Sequence, residues 1–284
     1  MIIYGMSEEE YHSQPELSST QARWLLESPA HYRWNMDHPR ADTNAFDIGS
    51  AVHAQVLGVG SPHIVIPDEH LTPRGTVSTK AETREWLAGA RAGGMIPVSQ
   101  QDADLIDRMT ESVLAHPDAR VFLEASSERE VSVFSTIDGV DVRCRFDALT
   151  DASPAGTRVG VDLKTTRKKA DAGGFIRSVV DFGYDVQAGH YDATVEASEG
   201  QRLDGFVFIV VEKAPPFLTA VHRLDTVWMG MGRDKAREAR RRLAEARASG
   251  VWPGYPAGVT ELNPPAWQVI EFEEQYENYG EIRI

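Results

Sequence analysis

Asp162 and Lys164 stand two positions apart in the short apolar run Val159-Gly160-Val161-Asp162-Leu163-Lys164-Thr165-Thr166, where a buried strand is expected. Side chains alternate along a strand, so both project from one face. A carboxylate and an ammonium side by side at a strand end suit one kind of chemistry: they can hold a hard metal ion and stabilise charge developing on a phosphate under attack. Taken alone, most Asp-x-Lys triplets are solvated strand edges or surface ion pairs of little energetic weight.

Its neighbours in the chain strengthen the chemical reading. Arg129 to Ile137 and Val140 to Leu149 read as two strands, with Asp138-Gly139 marking a hairpin turn between them. Two antiparallel strands followed by the Asp162 strand bring Asp147 next to Asp162. Close carboxylates repel unless a cation lies between them. Such a pair suits Mg²⁺ or Mn²⁺, which prefer oxygen ligands and keep several waters. Glu130 opens the first of these strands; it could serve a second metal, but a strand-start glutamate is more often solvated, and it is placed outside the site.

Two helices complete the pattern. Tyr184 to Ala193 reads as a helix with Gln187 and Tyr191 four apart on one face, able to steady a lysine or offer neutral donors to a phosphate. Phe46 to Leu57 reads as a helix of small and apolar residues carrying one histidine, His53. On its own, a lone histidine on a packed helix is usually a satisfied core residue rather than a ligand.

A helix histidine, an Arg-x-Asp strand, Asp-x-Lys on the next strand and Gln-x-x-x-Tyr on the following helix occur here in the order seen in the RecB-like branch of the PD-(D/E)xK nucleases. The wider chain resembles the phage and prophage RecE-like exonucleases, related to the nuclease part of exodeoxyribonuclease VIII. The likeness is closest at Leu17-Ser18-Ser19-Thr20 with Ser28-Pro29-Ala30-His31-Tyr32-Arg33-Trp34, at Phe46-Asp47-Ile48-Gly49, at Val161 to Thr166 and at Val211-Glu212-Lys213-Ala214-Pro215-Pro216. It runs from about Leu17 to about Trp252.

The resemblance implies that His53, Asp147, Asp162 and the Leu163 carbonyl bind Mg²⁺ or Mn²⁺. It implies that Lys164 orients or activates the attacking water, and that Gln187 and Tyr191 support the site. The motif often has glutamate where this chain has the shorter Asp162. The implied activity is an exonuclease digesting one strand of linear duplex DNA from its end, 5′ to 3′, for phage recombination. The implied partners are double-stranded DNA ends, a single-strand annealing protein and further copies of the chain in a ring-like oligomer. A structure-specific endonuclease of the same fold and a catalytically silent DNA-binding or assembly protein are the alternatives.

A net charge of −14 is unusual for a protein that engages a polyanion. Net charge governs solubility more than it governs a local site, and a basic cleft can be set in an acidic shell. Arg143, Arg145, Arg167, Lys168 and Lys169 cluster in sequence around the proposed metal strands and are expected to line such a cleft for DNA. The arginine-rich stretch Arg233 to Leu243 reads instead as a solvated helix with internal pairs. The single cysteine, Cys144, excludes a disulfide framework and a four-cysteine iron-sulfur cluster. No apolar run is long enough to span a bilayer and Met1-Ile2-Ile3-Tyr4 shows no signal-peptide pattern, so a cytoplasmic protein without membrane contact is expected.

The elements that must position these residues follow from patterning. Helices are expected at Ser18 to Glu27, Phe46 to Leu57, Ala81 to Ala92 and Ser99 to Ala115, the last ended by His116-Pro117, with a polar loop from Pro67 to Lys80. Further strands are expected at Phe206 to Val211 and Leu218 to Val221, with the Gln187 helix between the third and fourth strands. This is an α/β fold, a PD-(D/E)xK core with a central mixed sheet flanked by helices and a helical N-terminal part. The 284 residues, 42% hydrophobic, suffice for one nuclease domain: a mainly helical part over 1–120, a catalytic core over 121–252 and an acidic tail over 253–284 that suits a partner contact or a mobile end.

Overall fold

The computed structural model describes residues 1–38, 44–126, 128–150 and 157–276, with the main chain alone for 44–47. The side chains of Phe46 and Asp47, and Glu277 of the acidic tail, therefore lie outside the described residues. In chain order the elements are β1 (Ile2–Ile3), α1 (Glu8–Ser13), α2 (Ser19–Glu27), α3 (Pro29–Asp37), α4 (Asn44–Leu57), β2 (His63–Val65), α5 (Ala81–Ala92), β3 (Ile96–Val98), α6 (Gln100–Ala115) and α7 (Pro117–Glu124). Then come β4 (Glu128–Ile137), β5 (Val140–Leu149), β6 (Val159–Thr166), α8 (Ala172–Phe182), α9 (Tyr184–Glu199), β7 (Gly205–Glu212), β8 (Thr219–Arg223), α10 (Thr226–Ser249) and α11 (Ala266–Tyr276).

Six strands form the central sheet in the order β1-β4-β5-β6-β7-β8, and β2 pairs with β3 in a separate parallel ribbon. Every neighbouring pair in the main sheet is antiparallel except β6 and β7, which run parallel. That parallel pair requires a crossover, and the chain uses two helices for it, α8 and α9. The sequence reading placed a single helix there. Gly183 joins the two at φ 62°, a left-handed conformation in which a side chain carries a steric cost.

The sheet is covered on both faces. Val161, Leu163, Ile209 and Val211 pack with Val52 of α4 and Ile106 and Met109 of α6, while Phe146, Phe206, Phe208 and Val210 pack with Ala188 and Val195 of α9. Strand alternation thus sends odd and even residues of β6 and β7 into different cores. A third cluster ties α2 and α10 to β5 through Leu25, Leu243 and Val142. Helix α10 is longer than the arginine-rich stretch expected from the sequence, and its exposed face carries the internal pairs Arg237–Asp234, Arg241–Glu238 and Arg241–Glu245. Among the described residues no helix is long and apolar enough to cross a membrane. Helix α11 buries none of its residues.

Candidate active site

Among the described residues β5 and β6 pair at Ala148↔Val161 and Leu149↔Gly160, and the Thr150 amide donates to the Val159 carbonyl at 3.0 Å. The next residues in that register are Asp147 and Asp162, so the two carboxylates sit where the strands part. The Leu163 amide bridges the fork, donating to Asp147 Oδ2 at 2.6 Å. His53 of α4 approaches the same oxygen, with Nδ1 at 3.3 Å. Asp162 is buried and fully engaged on one side: its Oδ1 accepts a hydrogen bond from Gln187 Nε2 at 2.5 Å. Its Oδ2 lies 2.6 Å from Lys164 Nζ, an ion pair held by charge without a well-aligned hydrogen bond.

The electrostatics follow from this crowding. Burial opposes the charge on Asp147, but the charge and hydrogen bond of His53, the Lys164 charge and the Leu163 amide outweigh it, so its pKa falls below the ordinary carboxylate value. Asp162 is shifted upward, because burial and the repulsion of Asp147 outweigh the pull of Lys164. Lys164 is pushed up: burial works against its charge, and Asp162, Tyr184 and Asp147 more than compensate. Its ammonium stands 4.8 Å from the centre of the Tyr184 ring.

Among the described residues no three His, Cys, Asp or Glu side chains converge into a ready-made metal cage. The donors that are present still fit a hard divalent cation. Mg²⁺ typically takes one or two carboxylates and keeps its waters, and here two carboxylates stand at the fork while the buried Asp162 Oδ2 retains lone pairs for a cation. Mutual repulsion of Asp147 and Asp162 is what a cation between them relieves.

A cavity of about 380 Å³ opens in front of this fork, bordered by His53, Asp147, Glu130, Arg145, Thr165 and Tyr191. Tyr191 is buried, its ring edge-on to Phe146 at 4.9 Å between centroids, and it walls the cavity. Glu130, expected in solvent, instead faces this cavity in an ion pair with Arg145, with φ at 50° in the left-handed region. Tyr184, three residues before Gln187 and so on the same helix face, is a site neighbour that its spacing signals.

The five basic residues expected to line a DNA cleft take different positions. Arg143 is buried: its guanidinium donates to the Tyr11 carbonyl and lies over the Tyr11 ring at 4.7 Å, so it pins α1 to the sheet. Arg145 borders the cavity but spends its charge on Glu130 and the Met6 carbonyl. The cause is strand alternation, which sends both arginines toward the N-terminal segment that crosses β5. Arg167, Lys168 and Lys169 are exposed past the end of β6, and Lys168 pairs with Asp181 at 2.5 Å.

Comparison with solved structures finds a protein described as a "putative exonuclease" from Eubacterium rectale, 11% identical with a TM-score of 0.58 over 94% of this chain and 98% of that one. At that identity the likeness speaks for the fold alone. LHK-Exo, solved in complex with dAMP, is 15% identical over 81% of this chain and 93% of its own, with a TM-score of 0.27 that carries no weight. No curated protein matches the chain. A sequence family described as a PDDEXK-like domain of unknown function matches residues 18–263, which include every residue of the fork. With that extent of match, the mixed sheet and the carboxylate fork at the parting strands, the chain belongs to this PDDEXK-like family, DUF3799.

Proposed function

We propose that the protein is a divalent-metal-dependent deoxyribonuclease of RecE-like type, removing nucleotides from one strand of linear duplex DNA in the 5′ to 3′ direction. The observation that carries this reading is the fork itself: Asp147 and Asp162 face each other across parting strands, with Lys164 ion-paired to the second. Asp147, Asp162, the Leu163 carbonyl and His53 would hold Mg²⁺ or Mn²⁺, which when bound supplies Lewis-acid activation of the phosphodiester and of water.

The chain's own residues have separable tasks. Gln187 fixes the Asp162 carboxylate from below, leaving its second oxygen facing the site. Lys164 presents a fully charged ammonium that can orient the attacking water and meet the charge gathering on the phosphoryl oxygens. The Leu163 amide holds Asp147 in place, and without a cation a protonated His53 keeps it ionised, a task that a bound metal with neutral His53 as ligand would take over. Tyr191 walls the cavity on the helix side. Production of single strands for phage recombination, a ring-like oligomer and a single-strand annealing partner belong to the same reading and are drawn from the motif resemblance.

The test is digestion of linear duplex DNA, each strand end-labelled in turn, against covalently closed circles, with Mg²⁺ and with Mn²⁺. Metal-dependent release of nucleotides from the 5′ end, with closed circles intact, is the expected result. Cutting of closed circles moves the assignment to an endonuclease, and no hydrolysis under any metal defeats the nuclease reading.

A further inference from the structure

The motif Leu17-Ser18-Ser19-Thr20 has no role in the fork, yet it is built onto the strand that carries Asp147. The Leu17 amide donates to the Asp141 carbonyl at 2.9 Å, and the Arg143 amide donates to the Leu17 carbonyl at 3.0 Å. These two bonds set the first turn of α2 beside Arg143. Ser18 caps the helix in a reciprocal box: its hydroxyl accepts the Gln21 amide at 3.3 Å, and its own amide donates to Gln21 Oε1 at 2.9 Å. The first-turn amides of Ser19 and Thr20 have no acceptor among the described residues.

A cavity of about 440 Å³ opens at this turn, lined by Ser18, Ser19, Thr20, Gln21 and Arg143 among others, and it shares Tyr11 and Tyr191 with the cavity at the fork. No carboxylate lines it among the described residues, although the chain holds 43 Asp and Glu. Glu16 acts on Arg143 through its charge and lies outside that lining. Arg143 is 3% exposed, and its Nε has no hydrogen-bond partner. A buried guanidinium proton left unmet is costly, and the two open amides add the partial positive charge of a helix N-terminus at the same cavity. One oxyanion answers both.

Resting on the nuclease reading, we propose that Arg143 and the Ser19 and Thr20 amides bind one phosphate of the DNA strand that enters the fork. A phosphate has several acceptor oxygens, so one can take Arg143 while another takes the helix amides. An internal linkage and a 5′ terminal phosphate offer the same chemistry, charge and hydrogen bonding with no reading of the base. Arg143 lies four residues before Asp147 on β5, about 13 Å at the rise of a strand, so the phosphate held here is not the one being cut.

The experiment is a binding scan with linear duplexes in which one linkage at a time is made neutral as a methylphosphonate, and separately the 5′ phosphate is replaced by a hydroxyl. Binding is followed by anisotropy in Ca²⁺, without hydrolysis, while cleavage by the parent in Mg²⁺ reports on the nuclease reading by itself. One position is expected to weaken binding to the parent roughly tenfold, the scale of a lost charge-assisted hydrogen bond. A loss at the terminus identifies the terminal phosphate, and a loss at an inner position identifies a linkage. Ser19→Pro removes one amide proton at the first helical position, where proline is accepted and the preceding Ser18 is already extended at ψ 167°. Ser19→Ala keeps that amide and is expected to respond as the parent does. Arg143→Lys keeps a charge beside Tyr11 and loses the guanidinium. Neutralising the sensitive position is expected to cost Ser19→Pro and Arg143→Lys about threefold or less. The proposal is overturned if no position weakens binding to the parent, or if whichever of these two variants is folded by circular dichroism responds to every position as the parent does.

Discussion

Asp162 shows how a single side chain can be poised for a cation. It is buried, receives Gln187 on one oxygen and Lys164 near the other, and its pKa is raised because burial and Asp147 act together. Asp162→Asn keeps the shape and the Gln187 contact while removing the charge, so the expected result is a folded protein whose hydrolysis rate falls by about three orders of magnitude or more. Lys164→Gln should fall as far in rate and also lose stability, because it strands a buried carboxylate. Nuclease assays at saturating Mg²⁺, with thermal melts beside them, check both; near-parental activity in either variant removes that residue from the chemistry. At this scale the sequence was legible where spacing along one element set the geometry, as for Asp162 with Lys164 and for Gln187 on the face of α9. It was silent where the partner lies far along the chain: nothing near Arg143 announces Tyr11, and nothing near Arg145 announces the Met6 carbonyl.

Helix α9 carries Tyr184, Gln187 and Tyr191 to the site, and α10 presses it against the sheet. The two helices approach so closely at Gly189 and Gly232 that a Cβ on either would collide with the backbone of the other helix. Between Gln187 and Tyr191 sits His190, fully buried, its Nε2 2.9 Å from the Arg143 carbonyl. Burial, with the Arg240 charge adding to it, pushes His190 down to about 4. A histidine whose folded pKa lies below its unfolded value of about 6.5 contributes stability that is present above pH 6.5 and is lost as pH falls toward 4, because the unfolded chain takes up the proton first. The loss amounts to about 3 kcal/mol at most. Chemical denaturation at pH 7 and at pH 4.5 should therefore show a smaller drop for His190→Gln than for the parent; equal drops would mean that His190 does not set the acid response. The strands and the long helices of this layer were readable from periodicity. Helix α8 was not, since its Gly173-Gly174 start resembles a loop, and β1, β2 and β3 are too short to show a period.

At the scale of the whole molecule the difficulty is charge: a protein of net charge −14 has to engage a polyanion. The positive groups that face solvent near the fork are concentrated past the end of β6, at Arg167, Lys168 and Lys169. Much of the negative charge is carried elsewhere, since the segment after Gly258 holds six glutamates and one arginine. Within it, α11 exposes Trp267, Ile270 and Phe272 and buries no residue, so folding gains no apolar burial from it. Truncation after Gly258 should leave the unfolding midpoint within about a degree of the parent, since the described residues 259–276 are all exposed and add little to stability. The same truncation should tighten binding to linear duplex DNA at low salt, by removing like charge from the approaching polyanion. That gain should vanish near 1 M salt, where the screening length falls to about 3 Å. Melting curves and salt-titrated anisotropy on the two proteins decide the matter: a midpoint lowered by several degrees would show that the tail packs on the domain, and a gain that persists at high salt would show that its effect on DNA is not electrostatic.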